Sequence, residues 1–259
     1  MKVSIITVSY NSAKTLQDTI DSVGNQTYPN IEYIIVDGKS NDGTVEIIKK
    51  NNCTVSKWIS ERDKGLYDAM NKGIKMATGD IVGIINSDDF YSSSQSISAI
   101  VDAFKGHEVE CVFADVEFVR PSNLNKTIRY YSSRNFAPWK FRFGYMPAHP
   151  TFFTFRKNFE KYDYYKTYYK IAADFELLTR FLLINKLSYH YIPMSIIKMR
   201  TGGVSTASLD SKIVINKESL IALRENGVRS NYLFLYSRYL TKVFSFFPQV
   251  KKMYSGKKN

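Results

Sequence analysis

Residues 81–89 read Ile-Val-Gly-Ile-Ile-Asn-Ser-Asp-Asp. An apolar run too short for a helix, without alternation, predicts a strand buried on both faces over Ile81–Ile85. It opens at its C-terminal end into a polar loop ending in Asp88-Asp89. Working back toward the N-terminus, the spacing of Met70, Ile74 and Ala77 predicts a helix over Tyr67–Ala77. Before it come a strand over Lys57–Ser60, a helix over Thr44–Lys50 and a strand over Ile31–Val36. A helix over Ala13–Asn25, with Leu16, Ile20 and Val23 on one face, and a first strand over Val3–Val8 complete the series. Strands alternating with helices of this length predict a Rossmann-like α/β architecture, a mainly parallel sheet flanked by helices. Polar residues cluster at the strand ends, where open α/β sheets bind ligands.

From about residue 106 the rhythm changes. Val109–Phe118 reads as strand, with Lys126–Tyr131 as a pairing partner. Residues 135–154 are rich in aromatics, Pro and Gly, and Tyr162–Tyr169 reads as a tyrosine-dense loop. A helix over Ala172–Ile184 carries Phe175, Leu178, Leu182 and Leu183 as its apolar positions. Tyr189–Ile192 reads as a last strand, followed by a Gly202-Gly203 turn and a helix over Leu209–Glu225. The expected organisation is one domain over 1–206, divided into halves 1–105 and 106–206, followed by a helical basic tail over 207–259.

The chain has 259 residues, 44% of them hydrophobic, enough for a substantial core. Cys53 and Cys111 form neither a disulfide framework nor a metal-ligand spacing, and both read as small buried hydrophobes. The N-terminal apolar run is shorter than a secretory signal, and no run spans a bilayer, so the expected location is cytoplasmic. A net charge of +12 calls for an anionic partner. After Glu225 no acidic residue occurs.

Adjacent carboxylates at a strand end repel each other unless a cation or hydrogen-bond donors compensate. Asp88-Asp89 therefore suits Mn²⁺ or Mg²⁺, which take oxygen ligands and bridge to phosphates, although Asp also serves as an ordinary helix cap. The surrounding order decides between these. Residues 7–44, TVSYNSAKTLQDTIDSVGNQTYPNIEYIIVDGKSNDGT, and 60–89, SERDKGLYDAMNKGIKMATGDIVGIINSDD, closely resemble family 2 glycosyltransferases of the GT-A fold, and a weaker likeness extends to about Ser205.

The resemblance implies a nucleotide-sugar donor, with UDP as the expected nucleotide, and a saccharide acceptor. It places Thr7, Ser9, Tyr10, Asn11 and Asp37 at the base, Asp88 at the ribose and Asp89 at the metal. A carboxylate such as Asp37 can accept the N–H of a uracil ring. Asp63 is expected to touch the base, and Arg62 or Lys72 to approach the diphosphate. Lys39 departs from the family pattern and stands where it can pair with Asp37. The family's general base is commonly the second member of an acidic pair; here Ala173 replaces the first, leaving Asp174 for an inverting transfer. Glu176, two residues on, falls on another side of the helix. His149 lies in the acceptor-side segment and is a candidate to hold metal or diphosphate. Gly202-Gly203-Val204-Ser205 resembles the loop that closes over the diphosphate.

Within Tyr232–Phe247, Arg238, Thr241, Lys242 and Ser245 form a polar stripe opposite an aromatic and aliphatic face. This is the pattern of a helix lying on an anionic membrane, or of one packed on the domain or on a second subunit in a homodimer. A membrane location would suit a polyprenyl-diphosphate-linked acceptor, as in bacterial O-antigen or capsule synthesis, with the enzyme peripheral on the inner face. Other classes fit less well. Val8-Ser9-Tyr10-Asn11 lacks the glycines of a dinucleotide-binding turn, and no glycine-rich loop with Arg and Lys near the N-terminus marks a nucleotidyltransferase. No nucleic-acid motif accompanies the positive charge, so no nucleic-acid partner is expected. A non-catalytic family member, prompted by Ala173 and Lys39, and a basic nucleic-acid-binding protein, prompted by the net charge, are the remaining alternatives.

Overall fold

The computed structural model describes residues 1–202 and 209–244. Strands β1 (Val3–Ser9), β2 (Ile31–Asp37), β3 (Lys57–Ser60) and β4 (Ile81–Asn86) alternate with helices α1 (Leu16–Gly24), α2 (Thr44–Lys50) and α3 (Leu66–Met76). All pair in parallel, in the order β3-β2-β1-β4. The reason is visible in β1. Ile6 and Val8 join a core that includes Met70 and Ile74 of α3, whereas Val3 and Ile5 join one that includes Leu16 and Ile20 of α1. Both faces of each strand therefore need a helical layer. Gly73 allows α3 to approach closely, because a Cβ there would sit 2.4 Å from Ile6 Cγ2.

Beyond β4 the pairing turns from parallel to mixed. A short strand β5 (Phe90–Tyr91) leads into α4 (Ser96–His107). This helix was not among the expected elements, although its buried Ile97, Ile100, Val101 and Phe104 carry the helical spacing. Strands β6 (Cys111–Arg120) and β7 (Asn123–Tyr131) form the expected antiparallel pair. A six-residue 3-10 helix over Pro138–Phe143 and a second 3-10 turn over His149–Thr151 follow. Strand β8 (Phe153–Phe155) then inserts antiparallel between β4 and β6, joining the two halves into one nine-stranded sheet. Helix α5 spans Arg156–Tyr162, a stretch for which no element was expected, and ends where the tyrosine-dense loop begins.

Two expected boundaries move for identifiable reasons. The helix over 172–184 is α-helical only as α6 (Ala173–Leu178) and continues as a π-helix over Thr179–Ile184. The last strand, β9, runs on from Tyr189 to Arg200. Pro193 cannot donate to the ladder, and a bulge takes it up: Phe113 pairs with Tyr191 but Asp115 with Ser195. Helices α7 (Leu209–Glu225) and α8 (Tyr232–Phe244) pack on the α3 side, with Leu220, Leu223 and Leu235 buried in the same core as Phe141 and Phe175. Cys111 is buried against Thr154, whereas Cys53 is exposed, contrary to expectation. Among the described residues no helix is long and apolar enough to cross a membrane.

Candidate active site

The parallel strands end together on one edge, and the polar residues there are cross-linked between neighbouring loops. Asp37, at the end of β2, is fully buried. Its carboxylate accepts from Ser9 Oγ (3.1 Å), Ser40 N (3.0 Å), Ser40 Oγ (2.5 Å) and Ser60 Oγ (2.6 Å). These four donors fill the lone pairs of an ionised carboxylate, so Asp37 ties β1, β2 and β3 together and has nothing left for a base. Asn11 has a similar part. It adopts a left-handed conformation (φ 48°), its N–H donates to Ser40 Oγ, and its side-chain oxygen accepts from Asn41 N. The Thr7 hydroxyl is buried against the Tyr33 hydroxyl at 3.0 Å and serves the core. Lys39 is exposed and makes no ion pair with Asp37.

Over this platform the Tyr10 ring is 67% exposed, and Asp63 comes in from the loop after β3. Both converge on Gly38, where a Cβ would meet Asp63 Oδ2 at 2.6 Å and the Tyr10 ring at 3.3 Å. Asp63 Oδ1 accepts from Gly65 N at 2.9 Å. Its Oδ2 has no hydrogen-bond donor among the described residues, so Asp63 is the carboxylate here with capacity to accept from a ligand. Lys72 is committed elsewhere. Its ammonium meets Glu61 at 2.8 Å, Asp68 at 3.3 Å and the Arg62 carbonyl at 3.2 Å, and Glu61 holds it above the usual lysine range. Arg62 and Lys64, in this loop, are both exposed, and neither side chain forms an ion pair with a carboxylate among the described residues.

Asp88 and Asp89 follow β4 as expected. Asp89 is 1% exposed; its Oδ2 accepts from Asn86 Nδ2 at 2.9 Å, and its Oδ1 is buried with no partner. Burial, and then the charge of Asp88, push the Asp89 carboxyl well above the ordinary range; Asp88 is raised too, by burial. An orphaned oxygen in a buried carboxylate pair is what a divalent cation would satisfy. Among the described residues no three metal-type side chains converge, so such a cation would complete its shell with phosphate oxygens and water.

The sequence did not reveal Arg200, at the end of β9. Its guanidinium donates to the Asp88 carbonyl at 2.5 Å and to the Asp18 carboxylate, and it lies 5.1 Å from the Phe90 ring. It opposes the upward shift of both aspartates. Only the extension of β9 past Pro193 brings it there.

At the start of α6, Asp174 keeps part of its surface open, yet burial raises its carboxyl to about 6. Ala173, where an acidic residue was the family norm, is fully buried. Tyr67 and Tyr165 stack at 5.7 Å, and both hydroxyls feel the Asp174 charge. Asn71 holds the Tyr165 main chain through two hydrogen bonds, of 2.7 and 2.9 Å. His149 Nε2 lies 2.7 Å from the Tyr165 hydroxyl, and burial depresses its pKa to about 4, so the ring is neutral. That contact ties His149 to Tyr165 through Nε2. Glu176 is buried in a two-point pair with Arg180, and Lys166 also pairs with it.

Glu218 of α7 is a second residue that the sequence did not reveal. Its carboxylate accepts from the N–H groups of Lys170, Ile171 and Ala172 at 2.9–3.0 Å and so fixes the segment that enters α6. Glu218→Ala is therefore expected to lower stability by about 1–3 kcal/mol and to reduce kcat while nucleotide affinity stays unchanged. Thermal denaturation and steady-state kinetics check this. The 202–205 loop, apart from Gly202, lies outside the described residues.

A model of family 2 glycosyl transferases matches residues 4–166. The chain belongs to that family. A glycosyltransferase of Mycobacterium tuberculosis, Rv1514c, is 40% identical over 105 residues, a match covering 40% of each chain. Glycosyltransferase AglE of Haloferax volcanii is 32% identical over 138 residues, covering 51% of this chain and 45% of that one. The alignments thus span less than half of these relatives. A PGL/p-HBAD biosynthesis glycosyltransferase of Mycobacterium bovis is 25% identical, with 82% of both chains covered. Among solved structures, S. aureus TarS 1–349 in complex with UDP-GlcNAc superposes with a TM-score of 0.68 at 16% identity, over 95% of this chain and 73% of that one. The mannosyltransferase PcManGT of Pyrobaculum calidifontis, in complex with GDP-Man and Mn²⁺, gives 0.61 at 15%, over 96% and 82%. The fold of this family 2 chain is GT-A.

Proposed function

We propose that this family 2 chain is an inverting glycosyltransferase that moves a sugar from a nucleotide donor, UDP-linked in our reading, to a saccharide acceptor. The observation that carries the proposal is the buried, unsatisfied Asp89 oxygen beside Asp88 at the end of β4. UDP-GlcNAc bound by TarS, a structural neighbour, supports the donor class. In this reading residues 1–105 hold the donor, 106–206 the acceptor, and 207–259 form the tail. The base lies between the Tyr10 ring and Asp63, and Asp63 Oδ2 accepts its N–H. Mn²⁺ or Mg²⁺ held by Asp89, with Asp88 beside it, would neutralise the departing diphosphate. Asp174 takes the proton of the acceptor hydroxyl, the new bond forms at the anomeric carbon, and the sugar–phosphate bond breaks. The acid-free tail and a polyprenyl-diphosphate-linked acceptor fit a peripheral position on the inner face of a bacterial membrane, in O-antigen or capsule assembly.

Calorimetric titration of UDP with Mn²⁺, repeated with EDTA, tests the donor half. Metal-dependent binding is expected, and its absence under both conditions would overturn the UDP assignment. The roles of the two base-side aspartates separate in the same assay. Asp63→Asn is expected to weaken UDP by about 10-fold or more with little change in stability. Asp37→Asn should instead cost about 1–3 kcal/mol of stability, because it disrupts the serine cluster.

A further inference from the structure

We infer that the 3-10 helix over Pro138–Phe143 and the adjoining face of α8 together form a docking surface for an anionic phospholipid bilayer. The proposal deepens the peripheral-membrane reading above by naming its surface. It starts from an inversion in α8. Arg238, expected on a polar stripe facing lipid headgroups, is turned into the protein, donating to the Gly144 carbonyl at 2.5 Å and to Asn216 Oδ1 at 2.7 Å. Leu235 is fully buried beside it. Over its first two turns α8 leaves large hydrophobic side chains to solvent: Leu233 is 81% exposed, and Tyr232, Phe234 and Tyr236 are each more than 40% exposed. Phe234 stacks on Phe143 at 5.1 Å, and Phe143 meets Trp139 edge-on at 5.9 Å, so the patch continues across both elements to Trp139, itself 57% exposed. A contiguous exposed apolar surface of this kind marks an interaction site.

The charge around the patch selects the partner. Residues 118–159 contain no Asp or Glu, and neither do residues 226–259. The fold brings the described parts of these segments together at residues 142–144 and 230–238, with Arg142 and Arg229 exposed beside the aromatic residues and Ser230 bonded to the Arg142 carbonyl. A second copy would set these cations against themselves across a two-fold axis. Anionic headgroups would neutralise them while Trp139, Leu233 and Phe234 enter the acyl boundary.

The test uses the full chain carrying Trp58→Phe, which leaves Trp139 as the sole tryptophan, and vesicles of phosphatidylcholine with or without phosphatidylglycerol. Flotation with the anionic vesicles and a blue shift of Trp139 emission are expected, both weakened by salt. Leu233→Ser with Phe234→Ser should reduce binding at least tenfold. Arg142→Gln with Arg229→Gln should reduce it by about fivefold per residue. All variants should keep the UDP affinity of the parent, which separates failure of this surface from failure of the donor site. Flotation without a Trp139 shift, undiminished binding in the variants, or a dimer that the same serine substitutions dissociate would each overturn the proposal.

Discussion

Asp174→Asn is expected to lower kcat by about 10²–10⁴-fold while UDP affinity remains within about twofold of wild type. The amide keeps the size of the side chain and can still accept from Phe175 N, which Asp174 Oδ1 does at 2.7 Å, but it cannot take a proton. In the wild-type enzyme, burial raises this carboxyl from 3.8 to about 6, so the ascending limb of the pH–rate profile should report an apparent pKa near 6. The same shift fixes the sign of a stability effect. The folded state holds the proton more tightly than the unfolded one, so the contribution is complete below 3.8 and is lost as pH rises through about 6. Asp174→Asn should remove that slope and match or exceed wild-type stability at pH 8, by up to about 1–2 kcal/mol once partial exposure is allowed for. An inactive variant no less stable than its parent would separate catalysis from folding. Loss of stability together with activity would instead reassign Asp174 to the N-terminal turn of α6.

The second large effect concerns Asp89. Asp89→Ala should abolish metal-dependent UDP binding, weakening it by at least 100-fold in calorimetry, with the EDTA-treated proteins indistinguishable. The pair's upward shift adds a pH signature. Burial and the Asp88 charge favour a bound proton in the metal-free protein, so cation binding should release protons and tighten as pH rises. Heat signals in buffers of different ionisation enthalpy measure that release. Arg200→Gln, which removes the opposing positive charge, should weaken nucleotide binding less than Asp89→Ala does.

Much of the N-terminal half was legible because it is written in short-range patterns. β2, α2 and β3 were expected within one residue of their observed ends, since β-branched runs and helical spacing are local properties. The same holds for the strand-end position of Asp88 and Asp89 and for the start of α6 beside Asp174. The C-terminal half was harder to read. α4 follows a serine-rich stretch that masks its start, and the bulge over Pro193 conceals that β9 reaches Arg200.

The residue types and their order, on their own, determined the family, the alternating architecture and the set of carboxylates from which a site could be built. Tertiary structure decided which of those carboxylates has an unfilled lone pair. Asp37 and Asp63 both flank Gly38 at the strand ends, but Ser9 and Ser60, from neighbouring strands, help to saturate the first, while the second keeps one oxygen free. Arg200 reaches Asp88 across 112 positions of sequence, and Glu218 reaches Ala172 across 46. Arg238 turns inward because Gly144 and Asn216 offer it acceptors there. Hydrogen-bond capacity and burial belong to the packed neighbourhood of a side chain, and its members come from segments that no local pattern connects.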